Sequence, residues 1–244
     1  MTETKIALVT GANKGIGFAI AEQLAAQGVT VLLGARDATR REDAVAKLGA
    51  SGASVSGIAL DVTDPATIAA AAAEVESRFG RLDILVNNAG ITGDLSQEAG
   101  AGGLAEVRRV FDVNVFGVMA VTDAMLPLLR RSPAGRIVNV SSSVGSLADM
   151  TAPDGGYLAD MPAMLGYPVS KTALNAVTAQ YAKHLRKNGI LVNAVCPGYT
   201  ATDLNNFAGT RTAAEGAAIA VRLATVGADG PTAGFFADEG PVAW

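Results

Sequence analysis

Six short apolar, β-branched runs punctuate the chain: KIALVT (5–10), TVLLG (30–34), SVSGIAL (54–60), LDILVN (82–87), RIVNV (136–140) and ILVNAV (190–195). A strand that is apolar at successive positions, rather than at alternate ones, is buried on both faces. Such strands, separated by helices, build a parallel sheet covered on each side. Helical patterns fill the intervals at 16–27, 37–49, 65–79, 104–131, 167–188 and 213–226, with Asp64 as an N-cap and Pro65 at the first helical position of the third. The Ala69–Ala73 stretch fits that helix as well, because alanine is the best helix former. AGFFAD (233–238) supplies a seventh strand. The expected class is α/β: one doubly wound parallel sheet of about seven strands, with helices on both faces. At 244 residues, a single domain spanning 1–244 is expected. Two segments resist assignment, 92–103 and 143–166, and loops of that length in a compact domain are usually functional or disordered.

Half of the residues are hydrophobic and 17% are charged, which suits a compact enzyme. A net charge of -4 and a pI near 5.0 give no electrostatic reason for binding nucleic acid or an anionic membrane. Cys196 is the only cysteine, so an intrachain disulfide is excluded and a reducing, cytoplasmic setting is expected. The opening MTETKIALVTGANKG places Glu3 and a glycine-rich turn where a signal peptide needs an apolar run. No stretch reads as the roughly 18 apolar residues of a membrane span. No cluster of metal ligands appears. Cys196 reads as a small buried hydrophobe, and the lone His184 as a surface residue.

Between the first strand and first helix stands Thr10-Gly11-Ala12-Asn13-Lys14-Gly15-Ile16-Gly17. Glycines there let a backbone approach a pyrophosphate, whose charge rests against the unpaired N–H groups of the helix start. The spacing is Gly-x-x-x-Gly-x-Gly, and three glycines alone are a weak signal; their place between strand and helix strengthens it. Added to Asn87-Asn88-Ala89-Gly90 and Tyr167-Pro168-Val169-Ser170-Lys171, they make the chain resemble the short-chain dehydrogenase/reductase family. The resemblance runs from Thr10 through Cys196-Pro197-Gly198 to the terminal strand. TGANKGIG, GARD, NVFG, YPVSK and the segment ending in Trp244 look most like the NADPH-dependent carbonyl-reductase and menthone-reductase branch. The implied fold is Rossmann-type, and the implied activity is NAD(P)-dependent oxidoreduction.

The Tyr-Lys pair also has its own chemical logic, because residues four apart on a helix share a face. A free tyrosine titrates near pH 10, so it needs a neighbouring cation to act closer to neutrality. Lys171 is expected to draw Tyr167 down, as is oxidised nicotinamide. The resemblance implies Ser142 as the hydroxyl on the substrate oxygen, with Ser141 and Ser143 as rivals, and Asn114 as the holder of a water near Lys171. It also implies Asp61 and Val62 at the adenine edge, Asn88, Ala89 and Gly90 along the cofactor, Pro197 and Gly198 beside the nicotinamide, and Thr202 at the carboxamide or pyrophosphate. Thr200 stands where an aliphatic residue is common, which leaves its role open.

Cofactor choice turns on the end of the second strand, where an acidic residue commonly binds both ribose hydroxyls in NAD enzymes. Here stand Gly34, Ala35 and Arg36. Arg36, with Lys14, offers the charge for a 2′-phosphate and favours NADPH over NADH. A one-residue shift would instead make Asp37 a ribose ligand. The reaction expected is reversible reduction of a ketone or aldehyde, with Tyr167 as general acid/base.

An NAD-dependent alcohol dehydrogenase of the same family is the nearest alternative. A dinucleotide-sensing regulator is opposed by the complete Asn114, Ser142, Tyr167 and Lys171 set, and an epimerase by the few residues after Asp203. Ser142 and Tyr167 lie 25 positions apart. The intervening insertion, with Leu147, Met150, Tyr157, Leu158, Met161, Met164 and Leu165 and no Arg or Lys, is expected to form a lid for uncharged apolar or aromatic carbonyl substrates. It is also expected to favour a monomer or homodimer.

Overall fold

All residues of three neighbouring strands, β1 (Ile6–Thr10), β4 (Ile84–Asn87) and β5 (Arg136–Val140), are buried, the polar Thr10, Asn87, Arg136 and Asn139 among them. The computed structural model describes residues 4–50, 52–153 and 158–244. Outward from this centre lie β2 (Thr30–Ala35) and β3 (Val55–Ala59) on one side, and β6 (Leu191–Val195), β7 (Phe235–Ala237) and β8 (Gly240–Pro241) on the other. The order is β3-β2-β1-β4-β5-β6-β7-β8, parallel throughout except for the antiparallel β7–β8 pair.

Because side chains alternate across a strand, each central strand feeds two cores. Ala7, Val9, Ile84 and Val86 pack under α1 (Gly15–Ala26), α2 (Ala38–Gly49) and α8 (Ala213–Thr225), with Ile20, Leu24, Leu48 and Ile219. Leu8, Leu85 and Ile137 pack on the other face against α3 (Pro65–Phe79), α5 (Gly117–Leu129) and α7 (Tyr167–Leu185), through Val75, Met125, Leu129 and Leu185. Asp64 caps α3 by accepting from Ala66 N, and Gly80, at φ 71°, ends it in the left-handed conformation that glycine adopts without a steric cost. Connections from β1 and β4 leave in opposite directions, opening a crevice at the strands' C-terminal ends.

Three sequence expectations change. Eight strands are described rather than about seven: β8 is a two-residue return of the chain onto β7, too short to leave a periodic signal. The single helix expected over 104–131 is instead α4 (Leu104–Phe111), a π-helical turn (Asp112–Phe116) and α5. The continuous run Leu104–Leu129 is, by length and composition, apolar enough to cross a membrane, contrary to the sequence reading. Yet 56% of its most apolar stretch is buried inside the fold, where Val121, Met125 and Leu129 join the core, so it reads as a core helix.

The 143–166 insertion is only partly irregular. It holds a 3-10 turn (Ser143–Gly145), a single helical turn α6 (Leu147–Met150) capped by Ser146, and Met164 bridged to Glu98. Tyr157 lies outside the described residues. Trp244 closes the chain by stacking on Phe235, with ring centroids 5.8 Å apart, and its carbonyl accepts from Ala148 N at 3.1 Å.

The two-faced burial of β4 is testable at Leu85, which is wholly buried. Leu85→Ala is expected to cost about 2–5 kcal/mol, the range for an unfilled cavity in a tight core. Urea unfolding should show a lower midpoint at an unchanged slope; a loss under about 1 kcal/mol would contradict this packing.

Candidate active site

The crevice is held open by a polar tie between the ends of β1 and β4. Thr10 Oγ1 accepts from the backbone N–H groups of Asn88 and Ala89, both at 3.0 Å. Asn88 Nδ2 returns hydrogen bonds to the carbonyls of Thr10 at 2.9 Å and Gly11 at 3.2 Å. This brings the β4 exit so near the glycine turn that a Cβ at Gly17 would lie 2.4 Å from Asn88 Nδ2. Gly11 adds a left-handed φ of 63° and leaves no room for a Cβ against Ala89. At the start of α1, Lys14 is the N-cap and makes no side-chain capping bond, so the first-turn N–H groups face the crevice without a side-chain acceptor from it.

Gly11, Asn13, Lys14, Gly15, Ile16, Gly17, Arg36, Asp61, Val62, Asn88, Ala89, Gly90, Tyr167, Lys171, Pro197 and Thr202 line one cleft of about 410 Å³. A bare glycine cradle, a helix N-terminus and cations at one end are features that fit a dinucleotide phosphate chain. Sequence reasoning weighed Ser141 only as a rival to Ser142, and missed Ile91, Val113, Leu204, Asp203 and Arg40 on its walls. For Arg40 there was a signal, since it lies four residues after Arg36 in the first turn of α2.

At the cleft's charged end, Asp37 spends its carboxylate as the N-cap of α2, accepting from Arg40 N at 2.9 Å. Arg36 is largely exposed, 3.9 Å from Asp61, a surface pair of small energetic worth. Burial opposes ionisation of Asp61, but hydrogen bonds from Thr63 N and Oγ1, with Arg36 nearby, leave its carboxyl below the usual range. Lys14 Nζ reaches across to Asp203 at 2.8 Å and holds that carboxyl below its usual range too.

Two residues expected at the cofactor are not on this lining. Thr200 is buried, donates to the carbonyl of Pro197 at 3.0 Å, and packs so closely on α8 that a Cβ at Gly216 would meet its Oγ1 at 2.4 Å. Gly198 sits behind it against Arg211.

Tyr167 and Lys171 stand one turn apart at the start of α7, with Lys171 Nζ 5.6 Å from the phenol ring centroid. Lys171 is buried and donates to the carbonyl of Val140 at 2.8 Å. Burial lowers it to about 8, partly opposed by the Cys196 sulfur, so it carries its proton at neutral pH. Tyr167 moves the other way from the expectation. Burial pushes it up to about 12, outweighing the Ser142 hydroxyl that hydrogen-bonds its oxygen, and Cys196 adds to the rise. A low-polarity setting disfavours phenolate more than a cation at this distance favours it.

Among the three candidate serines, Ser142 is the one whose side chain favours ionisation of the Tyr167 phenol. The Ser141 hydroxyl donates to Asn175 Oδ1 at 2.6 Å, and Ser143 offers its backbone N–H to Cys196 Sγ at 3.3 Å. Asn114, fully buried on the π turn, accepts from Ile91 N and donates to Ile91 O and Ser170 Oγ, each within 3.0 Å. It thus ties the β4 exit to α7. A Cβ at Gly90 would lie 3.3 Å from Asn114 Oδ1 and 3.6 Å from Lys171 Nζ, so the two side chains share that corner.

The chain is similar to known proteins. The family model described as short chain dehydrogenase matches residues 5–213. "Short-chain dehydrogenase anuI" of Penicillium roqueforti (strain FM164) is 41% identical over 238 residues, covering 96% of this chain and 94% of the relative. Salutaridine reductase of Papaver bracteatum is 37% identical over 304 aligned positions, covering 98% and 95%. Among solved structures, NADPH-bound carbonyl reductase from chicken fatty liver superposes with a TM-score of 0.86 at 30% identity, covering 99% of this chain and all of that one.

The raised Tyr167 has a direct optical test. Of the chain's four tyrosines, the one removed in Tyr167→Phe should be a group that ionises near pH 12 in the cofactor-free protein. Absorbance titration of wild type and variant should differ only above pH 11, about one unit below that midpoint. Loss of a tyrosinate forming near pH 10 would contradict the burial argument.

Proposed function

The chain belongs to the short-chain dehydrogenase family and is an oxidoreductase, and on that premise we propose that it reduces ketones or aldehydes to alcohols with NADPH. The observation that carries this reading is the Ser142–Tyr167–Lys171 group beside a glycine-cradled cleft. When bound, NADPH supplies the hydride that reduces the carbonyl carbon. Tyr167 gives its proton to the carbonyl oxygen, for which a phenol held neutral by burial is in the correct state. Ser142 steadies the negative charge as it develops on that oxygen. Lys171, charged at neutral pH and held by Val140 O, favours the phenolate left behind, and Asn114 keeps the lysine's corner in place. Run backwards, the same groups oxidise an alcohol.

NADPH is favoured by Arg36 and Arg40 after the end of β2, where Asp37 caps α2, and by Lys14 on the glycine turn. Gly11, Gly15 and Gly17 would hold the pyrophosphate, Asp61 and Val62 the adenine, Asn88, Ala89 and Gly90 the middle of the cleft, and Pro197 and Thr202 the nicotinamide end. For the substrate, we read the insertion as an apolar lid. Leu147, Met161 and Leu165 are exposed there, and no Arg or Lys lies between Ser142 and Tyr167 to hold a carboxylate. The names carbonyl reductase and salutaridine reductase among the relatives are in keeping with this class.

One kinetic comparison tests the reading. Wild type should turn over an aryl ketone with NADPH in preference to a short 2-keto acid. Tyr167→Phe should lose at least 100-fold in kcat, roughly the worth of a positioned acid, while still binding NADPH. Arg36→Ala should weaken NADPH much more than NADH. Near-normal turnover by Tyr167→Phe, equal loss of both cofactors, or preference for the keto acid would each overturn the corresponding part.

A further inference from the structure

Two segments without clear periodicity, 92–103 and 158–166, meet at one buried side chain. Gln97 ends a 3-10 turn (Leu95–Gln97) and is 2% exposed. Its Nε2 donates to the carbonyls of Thr92 at 2.6 Å and Asp94 at 2.8 Å, and its Oε1 accepts the backbone N–H of Tyr167 at 2.7 Å. The Gln97 carbonyl also accepts from Leu165 N at 2.9 Å, and Ala99 N donates to Ala163 O at 2.8 Å beside it.

Tyr167 is the first residue of α7, where N–H groups lack intrahelical partners. Gly166 offers no side chain to cap them, and Pro168 has no N–H. The acceptor for the tyrosine's own amide therefore comes from 70 positions away. Room for it exists because residue 166 is glycine: a Cβ there would lie 2.0 Å from Gln97 Oε1.

We propose that Gln97 is a positioning residue for Tyr167, its buried amide fixing the start of α7 and so the phenol's place beside Ser142. The inference rests on the reading of Tyr167 as the proton donor. Both ends of the amide are needed, since the donor end faces two carbonyl oxygens and the acceptor end one N–H. Methionine fills a similar volume with neither function. Glutamate accepts from Tyr167 N, but when ionised it sets its charge against the Thr92 and Asp94 carbonyls, and only its protonated form returns a donor to them.

The test compares wild type, Gln97→Met, Gln97→Glu and Tyr167→Phe as full chains, measuring aryl-ketone reduction, NADPH binding by fluorescence and thermal unfolding. Folded Gln97→Met should lose about tenfold or more in kcat, with NADPH affinity within about twofold of wild type, the signature of an effect confined to the chemical step. Gln97→Glu should acquire an ionisation in kcat that wild type lacks. Its activity should stand near wild type at acid pH and fall as pH rises through a carboxyl titration that burial places above the ordinary glutamate range. A role in folding alone would alter the folded fraction without adding that ionisation. Should Gln97→Met not fold, the Gln97→Glu profile decides. Wild-type kcat in folded Gln97→Met, or a wild-type pH profile in Gln97→Glu, would overturn the proposal. Turnover by Tyr167→Phe would instead sink the reading of Tyr167, whereas an inactive Tyr167→Phe beside fully active Gln97 variants sinks the positioning role alone.

Discussion

The hydrogen bonds that join Thr10 to Asn88 and Ala89 are the constraint from which the site follows. Parallel strands buried on both faces can end in polar residues only where those residues find partners. β1 and β4 satisfy one another at the point where their connections diverge, and the glycine turn is drawn against the β4 exit. That approach requires Gly11 and Gly17 to lack side chains, and it leaves the start of α1 facing an open cleft. The same logic continues deeper, where Asn87 Nδ2 donates to Asn139 Oδ1 across β4 and β5, and Asn139 donates to Thr178 on α7. Among the described residues, Asn87 Oδ1 has no hydrogen-bond partner.

Burial also decides the electrostatics of the candidate pair. Lys171 and Tyr167 are both driven toward their neutral forms, the lysine downward and the tyrosine upward. A tyrosine kept protonated is ready to give a proton, so this bias suits reduction. In the proposed reaction, the buried lysine, still charged at neutral pH, would offset the cost of the phenolate. Asn114 and Gln97 then clamp the same helix start from two sides, one through Ser170 and the other through the Tyr167 amide. Precision at the phenol thus comes from side chains outside the pair itself.

The central strands were legible because double-sided burial favours a predominantly apolar run, and α3 was legible because Asp64-Pro65 and Gly80 mark its ends. The glycine turn and the Tyr-Lys spacing were legible for a related reason: each obeys a local geometric rule. What escaped depends on distant partners. The π turn lies hidden inside a continuous helical pattern, and its Asn114 bonds to Ile91 and Ser170, 23 and 56 positions away. Gln97 sits in a stretch with no period, and its partner is 70 residues further on. The upward shift of Tyr167 could not be read from a nearby lysine, because desolvation depends on the whole enclosure.

In the proposed reaction this cleft brings a nicotinamide hydride to a carbonyl carbon while Tyr167 protonates the oxygen. The most direct measurement follows the hydride itself. The protein is incubated with an aryl ketone and NADPH carrying deuterium at both C4 positions of the nicotinamide, and the alcohol formed is analysed by mass spectrometry and NMR. The account predicts a single deuterium on the carbon of the former carbonyl, with the hydroxyl proton drawn from solvent. Alcohol formed without deuterium, or no reduction of any ketone or aldehyde with either nicotinamide cofactor, would contradict it.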